Sequence, residues 1–295
     1  MNKLDRVMVN ITWKCNLGNC SYCWHHVSSG SLHVADGSVR VAPDLNVEQW
    51  LEIFHKMDPA IIDFVGGEPF VYDDFIALCE KLPNKHTYAL TTNLMSDRIE
   101  EFTTKIKPDN WIIINGSYHK NSGLSVEEFA KIILKFQGAG FPVAVNIINH
   151  VSYENMLNDW EKFLKSKGLK VFISPYEDPF SLQSRRTPAT LVCKAGITHY
   201  VINNNGDVHR CLSWFRYLIG LSKKEDGKIC IYDKRGYMGN LLKETFAKVK
   251  REKSCELYCD LKYLISPENS LISDVNIREK SLWGWIKRPI VKRKK

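Results

Sequence analysis

The chain has 295 residues, 44% hydrophobic and 25% charged, which is typical of a soluble globular protein with one large or two smaller domains. No apolar run approaches the roughly 18 residues of a membrane span, and no signal-peptide h-region is present, so we expect a cytoplasmic protein beginning near Met1. The net charge is +8, but eight of the Lys and Arg residues lie from Arg278 onward against one acid, leaving +1 for the first 277 residues. A nearly neutral body argues against a nucleic-acid partner.

Apolar runs alternate with helical patterns between residue 6 and about residue 175. Asn46 with Gln49, and Ser125 with Glu128, form capping-box signals at the starts of two helices. Strands alternating with helices predict an α/β fold with a parallel sheet curling into a partial (β/α)6 TIM-like barrel, whose ligands bind at the carboxyl ends of the strands. The predicted strands are Val7–Thr12, Ile61–Val65, Tyr88–Thr92, Trp111–Ile114, Val143–Ile148 and Val171–Ser174.

The pattern changes after Pro179, where a polar linker precedes a second, smaller α+β module. Residues 199–211 predict a β-hairpin with Asn205-Gly206 at its turn, followed by a helix from about Leu241 to Lys250. We therefore expect a barrel domain over residues 1–180, a second module over 187–265, and a basic tail over 266–295.

The tail contains Trp283 and Trp285 followed by a basic run, and it is expected to be mobile. Its composition suits peripheral contact with an anionic membrane. A solvated tail is the alternative.

Nine cysteines in a cytoplasmic chain favour metal ligands over disulfides. Cys15, Cys20 and Cys23 follow the first predicted strand, and three thiolates on one loop can hold three irons of a four-iron cluster while the fourth iron stays open to a ligand. A zinc site completed by a fourth ligand is the alternative. The sequence Gly66-Gly67-Glu68-Pro69 follows the second strand, and the family resemblance that it carries, described next, weighs against zinc.

This cysteine loop, together with Gly66–Pro69, resembles the radical S-adenosylmethionine (radical SAM) superfamily. The usual pattern there is Cys-x3-Cys-x2-Cys with an aromatic residue before the last cysteine. Tyr22 fills that place, but four residues separate Cys15 from Cys20. The resemblance implies a [4Fe–4S] cluster bound to S-adenosyl-L-methionine, whose reductive cleavage yields a 5′-deoxyadenosyl radical that abstracts a substrate hydrogen.

The resemblance also implies a set of cofactor-binding residues. Tyr22 is expected near the adenine, and the two glycines of the Gly-Gly-Glu-Pro sequence are expected to admit the amino group of the cofactor. Polar residues at later strand ends are expected to contact its ribose or carboxylate. The complete set is Tyr22, Gly66, Gly67, Glu68, Pro69, Asn93, Ser117 and Asn146. Catalytic acid, base or radical-relay residues are not identified by any motif.

A second group of cysteines resembles the twitch domain, the shortened form of the SPASM domain. Its features are a Gly-x4-Cys hairpin end and a late cysteine pair, here spaced Cys-x3-Cys where Cys-x2-Cys is usual. The resemblance implies one auxiliary [4Fe–4S] cluster, with a structural zinc site as the alternative. The four ligands would be Cys193, Cys211, Cys255 and Cys259.

These features predict a radical SAM oxidoreductase that removes two electrons from a small molecule such as a sugar or cyclitol. The partners are then that substrate and an external one-electron donor of the flavodoxin or ferredoxin type. A radical SAM maturase of ribosomally made peptides is one alternative. A noncatalytic, metal-binding adaptor that docks at membranes through the tail is another. Substrate identity is not encoded, because it depends on loops that carry no motif.

Overall fold

Parallel strands alternate with α-helices in the first 175 residues, as the sequence predicts. The computed structural model describes residues 5–17, 20, 23, 43–175, 191–193, 199–209, 224–225, 228–229, 237–245 and 290–292. The strands are β1 Asp5–Thr12, β2 Ala60–Gly66, β3 Thr87–Thr92, β4 Trp111–Tyr118, β5 Val143–Asn149 and β6 Val171–Pro175. The helices are α1 Val47–Lys56, α2 Phe75–Glu80, α3 Ile99–Lys105, α4 Val126–Gly138 and α5 Glu154–Ser166. The six predicted strands are confirmed, and only β4 runs more than two residues past its predicted limits.

The remaining described strands are short. They are β7 Leu191–Cys193, β8 His199–Ile202, β9 Asp207–His209, β10 Lys224–Glu225, β11 Lys228–Ile229, β12 Tyr237–Asn240 and β13 Ile290–Lys292. The predicted hairpin is confirmed, since β8 and β9 pair antiparallel around a turn in which the Gly206 amide donates to the Asn203 carbonyl at 2.9 Å. Gly206 has a φ of +82°, which suits the left-handed position after such a turn.

A single nine-stranded sheet joins both halves of the described chain, in the order β12-β9-β8-β1-β2-β3-β4-β5-β6. Strands β1 to β6 are all parallel to their neighbours, and β8 pairs parallel with the outer side of β1. The hairpin predicted for the second module therefore continues the sheet formed by β1 to β6. This arrangement places the hairpin turn beside the carboxyl end of β1.

The helices cover one face of the sheet. Their buried residues join one apolar core with alternate residues of the strands, including Phe64 of β2 and Ile114 of β4. The opposite face carries a smaller apolar group, Ala89, Ile113 and Ala144, together with polar side chains such as Thr91 and Asn115. Parallel strands alternating with helices that cover one face of the sheet are consistent with a partial TIM-like barrel.

Both predicted capping boxes are confirmed at the N-termini of α1 and α4. Asn46 and Gln49 exchange side-chain and backbone hydrogen bonds, as do Ser125 and Glu128. In contrast, residues 241–244 form a turn in which the Glu244 amide donates to the Asn240 carbonyl at 2.9 Å. The predicted helix therefore does not begin at Leu241, and residues 246–250 lie outside the described part of the chain.

Strand β13 belongs to the segment predicted as a mobile tail. It pairs antiparallel with β7, so residues 290–292 form a two-stranded sheet with residues 191–193. Trp283 and Trp285 lie outside the described residues. None of the helices in the described ranges combines the length and apolar character that crossing a bilayer requires.

Candidate active site

The cysteine loop starts three residues after the end of β1. Cys15, Cys20 and Cys23 are all thiols outside any disulfide; Cys20 is buried, and the other two are half-buried. The Cys23 amide donates to the Cys20 carbonyl at 2.9 Å, which fixes the spacing of the last two cysteines. Tyr22 lies outside the described residues. Among the residues that are described, no three His, Cys, Asp or Glu side chains converge on the position of a single metal ion.

The glycine pair at the end of β2 lies directly against the start of the cysteine loop. The Gly67 amide donates to the Thr12 carbonyl at 2.9 Å, and the Glu68 amide donates to the Lys14 carbonyl at 2.8 Å. A Cβ atom would lie 2.4 Å from the Thr12 oxygen at Gly66, and 2.1 Å from the Lys14 oxygen at Gly67. These glycines are thus required for the close approach of two backbones, and they set the position from which Cys15 departs.

Glu68 links the carboxyl ends of β2 and β3 through a buried carboxylate. Its Oε1 accepts from the Thr92 hydroxyl at 2.7 Å and from the Phe70 amide at 3.2 Å, while Oε2 accepts from the Asn93 amide at 2.6 Å. Burial raises the pKa of Glu68 to about 7, although the three donors lower it in part. Pro69 is also buried and begins a short 3-10 turn, Pro69–Val71. Glu68 therefore holds two strand ends in register beside the cysteine loop.

Asn93 holds the cysteine loop from the side of β3. Its Nδ2 donates to Asn16 Oδ1 at 2.8 Å and lies 3.9 Å from the Cys15 sulfur, and its Oδ1 accepts from the Met95 amide at 2.8 Å. Asn16 Nδ2 in turn donates to the Met95 carbonyl at 2.5 Å. Asn93, which is expected to bind the cofactor, therefore lies next to the predicted cluster ligand Cys15.

Ser117 and Asn146 lie side by side on the inner face of the sheet. They are register partners on β4 and β5, and both are half-buried. Asn146 Oδ1 accepts from the Ser174 hydroxyl at 2.6 Å. Two residues before Ser117 on β4, the side-chain oxygen of Asn115 is buried and has no hydrogen-bond partner among the described residues. The inner face near the strand ends thus offers neighbouring hydroxyl and amide groups to a polar ligand.

The side chain of Asn121, which no sequence motif identifies, contacts the second cysteine of the loop, Cys20. Asn121 belongs to the 3-10 turn Lys120–Ser122 that follows β4, and its Nδ2 lies 3.1 Å from the Cys20 sulfur. No local motif marks Asn121. A search for amide side chains within a few residues of each strand end would have included it, because all such ends meet at one edge of the sheet.

The hairpin turn is joined to the root of the cysteine loop by a polar network. Asn204 Oδ1 accepts from the Trp13 indole at 2.9 Å, and Asn204 Nδ2 donates to Asp44 Oδ1 at 2.8 Å. Asp44 Oδ2 accepts from the Thr12 hydroxyl at 2.9 Å, and Asn10 Nδ2 donates to Asn203 Oδ1 at 2.9 Å. The end of β1 is therefore held on both sides, by β2 and by the turn between β8 and β9.

Comparison with known proteins identifies the family. The family model of the radical SAM superfamily matches residues 9–166, which is more than half of the chain. The chain belongs to the radical SAM superfamily.

A curated relative of this radical SAM chain is the GTP 3′,8-cyclase of Aquifex aeolicus (strain VF5), which is 24% identical over 197 residues. The match covers 60% of the chain and 59% of the cyclase, so the chain matches less than two thirds of that relative.

Among solved structures, histidine-tagged anSMEcpe with bound AdoMet has a TM-score of 0.56 at 12% identity. The match covers 84% of this chain and 77% of the anSMEcpe chain. Streptococcus suis SuiB bound to the precursor peptide SuiA has a TM-score of 0.53 at 17% identity, and that match covers 92% of this chain and 76% of the SuiB chain. These likenesses show the fold.

Membership of the radical SAM superfamily implies a [4Fe–4S] cluster and S-adenosylmethionine. The cysteine loop fits such a cluster, because it carries three thiols that are outside any disulfide and lies beside the carboxyl end of β1. The side-chain amide of Asn121 also lies 3.1 Å from the Cys20 sulfur, and hydrogen bonds to ligand sulfurs are one of the factors that set the potential of such clusters. Cys15, Cys20 and Cys23 are the residues that would hold the cluster.

The second predicted cysteine group falls largely outside the described residues. Cys193 lies on β7, and only its backbone is described. Cys211, Cys255 and Cys259 lie outside the described part of the chain. The auxiliary cluster and the twitch-like module therefore stay predictions from the spacing of the cysteines.

Proposed function

We propose that this chain is a radical SAM oxidoreductase that abstracts a hydrogen atom from a small polar molecule and removes two electrons from it. The observation that carries the proposal is the loop of three cysteine thiols fixed against Gly66 and Gly67 at the carboxyl end of β1. When bound there, the cluster and S-adenosylmethionine supply reductive carbon–sulfur cleavage and a 5′-deoxyadenosyl radical. Membership of the superfamily supports the cleavage of S-adenosylmethionine. The two-electron oxidation of a small molecule is proposed in addition to it.

The chain's own residues would perform binding and orientation. Cys15, Cys20 and Cys23 would ligate three irons, and the strand ends around them would fix the loop. Ser117 and Asn146 present half-buried polar groups on the same inner face, which supports their proposed contact with the ribose or carboxylate of S-adenosylmethionine. Glu68 would act by holding the ends of β2 and β3 together, because its carboxylate already accepts three hydrogen bonds from the protein.

The auxiliary cluster is part of the same proposal. Its four thiolate ligands would leave no open coordination site, so the cluster would supply one-electron transfer for the second electron of the oxidation. The support is the spacing of Cys193, Cys211, Cys255 and Cys259. One S-adenosylmethionine would then be consumed per oxidised product, with an external donor of the flavodoxin or ferredoxin type reducing the first cluster.

The superfamily chemistry is tested on the full chain, reconstituted anaerobically with iron and sulfide. We expect about eight irons per chain if both clusters form and about four if only the first does. Incubation with dithionite and S-adenosylmethionine should release 5′-deoxyadenosine and methionine, measured by mass spectrometry. The triple variant C15A/C20A/C23A should lose this release, whereas Cys79→Ala, which alters a buried cysteine of α2, should keep it. Release that is absent from the wild type, or equal in the triple variant, would contradict the proposal.

Peptide modification is the second candidate function. It is favoured by structural neighbours whose solved complexes contain peptides, SuiB with the precursor peptide SuiA and anSMEcpe with the Cp18Cys peptide. The two candidates differ in which substrate stimulates the release of 5′-deoxyadenosine. A deuterated aminocyclitol or sugar that transfers deuterium into 5′-deoxyadenosine supports the first, and transfer only from a deuterated peptide supports the second.

A further inference from the structure

The turn after β4 places one amide side chain at a predicted cluster ligand. The Ser122 amide donates to the His119 carbonyl at 2.9 Å, and the Leu124 amide donates to the Ser122 hydroxyl at 3.2 Å. The Tyr118 hydroxyl also donates to the Leu124 carbonyl at 3.1 Å. These three hydrogen bonds therefore hold the backbone on both sides of Asn121.

The amide of Asn121 meets the sulfur of Cys20 at hydrogen-bonding distance. Its Nδ2 lies 3.1 Å from the sulfur, and its Oδ1 lies 3.6 Å away. A thiolate that ligates iron carries no proton, so its sulfur can only accept, and the NH2 group of Asn121 becomes the donor. The corresponding contact of Asn93 with Cys15 is longer, 3.9 Å, and the same NH2 group donates to Asn16 at 2.8 Å.

A hydrogen bond to a ligand sulfur changes the redox balance of an iron–sulfur cluster. Reduction adds negative charge to the cluster and its sulfurs, and a donor N–H stabilises that charge more in the reduced state than in the oxidised state. Cys20 is buried, with 6% of its surface exposed, so water screens this interaction little. We infer that Asn121 is a positioning residue that donates to the Cys20 thiolate and raises the reduction potential of the cluster held by Cys15, Cys20 and Cys23. This inference rests on the proposed function, since it requires a cluster at that loop.

The test measures the midpoint potential of the cluster in the reconstituted full chain. Asn121→Leu keeps the size of the side chain and removes the donor, so the potential should fall to a more negative value. Asn121→Gln keeps a donor on a longer side chain, and it should recover part of the change. Asn110→Leu is the matched control, because Asn110 lies before the other end of β4 and donates to Asn84 on the surface. Its potential should equal that of the wild type.

A second measurement keeps the test decisive if the leucine variant fails to take up iron. Pulsed electron paramagnetic resonance on the reduced wild type, labelled with 15N-asparagine, should show a nitrogen coupling that persists in Asn110→Leu. In any iron-loaded Asn121→Leu or Asn121→Asp protein, part of this coupling should disappear. A wild type without iron removes the proposed function and this inference with it. An iron-loaded wild type without 15N coupling, or an Asn121→Leu potential equal to that of the wild type, overturns this inference alone.

Discussion

Replacing Gly67 by alanine tests how the end of β2 positions the cysteine loop. The added Cβ would lie 2.1 Å from the Lys14 carbonyl oxygen and 2.7 Å from the Trp13 carbonyl oxygen, both of which are backbone atoms. The two strands must therefore separate, which breaks the bonds that Gly67 and Glu68 donate to Thr12 and Lys14.

The expected loss of stability follows from these contacts. Each of the two backbone hydrogen bonds contributes about 1 kcal/mol, and overpacking costs about 1–3 kcal/mol, so we expect a loss of about 3–5 kcal/mol. This is a large part of the ~5–15 kcal/mol that stabilises a typical domain. Because the displaced segment leads directly into Cys15, the variant should also bind less iron at the cysteine loop.

Urea unfolding followed by circular dichroism measures the loss, and an iron assay after reconstitution measures the effect on the loop. Gly138→Ala is the matched control, because a Cβ there meets nothing within 4 Å at the end of α4. That variant should be as stable as the wild type or up to about 1 kcal/mol more stable, since alanine favours the helix. A Gly67→Ala protein with the stability and iron content of Gly138→Ala would refute the reasoning.

Three further substitutions test the contacts that surround the site. Asn204→Ala removes the acceptor of the Trp13 indole and should cost about 1–3 kcal/mol of unfolding free energy in urea. In Glu68→Gln an NH2 group takes the place of one carboxylate oxygen, which accepts a buried N–H or O–H. The free energy of unfolding should fall by a similar ~1–3 kcal/mol. His86→Leu removes the acceptor of the Ala60 amide and should also change the pH dependence of stability. Burial lowers the pKa of His86 from 6.5, so the unfolded chain binds a proton that the folded chain does not, and stability falls as the pH drops below 6.5. This part of the slope should be absent from the leucine variant.

Each of these predictions has a clear contrary result. Equal unfolding free energies of Asn204→Ala and the wild type would mean that the contacts of the Asn204 side chain do not stabilise the end of β1. A Glu68→Gln protein as stable as the wild type would mean that the carboxylate is dispensable for joining β2 to β3. If the pH profile below 6.5 is the same with and without His86, another group accounts for it.

The strands and capped helices were predictable because their signals are local. Apolar runs identify β1 to β6, and the Asn46 and Ser125 capping boxes identify two helix starts. The predicted β4 ends too early because Asn115 and Ser117 are polar residues of the inner face, so the apolar run stops while the strand continues. Polar residues in this strand thus mark the sheet face opposite the helices and do not mark the end of the strand.

The contacts that complete the site were not predictable, because they join residues far apart in the chain. The pairing of β8 with β1 brings Asn203 and Asn204 to the root of the cysteine loop across about 190 residues, and no local pattern encodes it. Asn121 reaches Cys20 only through the order of the parallel strands. The resemblance predicts that the glycines admit the cofactor, and in the structure they also admit the backbone of residues 12–14, which leads into the cysteine loop. Both requirements select glycine, so the residue type alone does not separate them.

The central claim is that the three thiolates hold a cluster whose fourth iron binds S-adenosylmethionine. Electron paramagnetic resonance of the reduced, reconstituted chain, recorded with and without S-adenosylmethionine, tests this most directly. The account predicts that the cofactor shifts the spectrum of the wild type and that this shift is lost when Cys15, Cys20 and Cys23 are replaced by alanine. A reduced cluster at this loop whose spectrum does not change when S-adenosylmethionine is added would contradict the account.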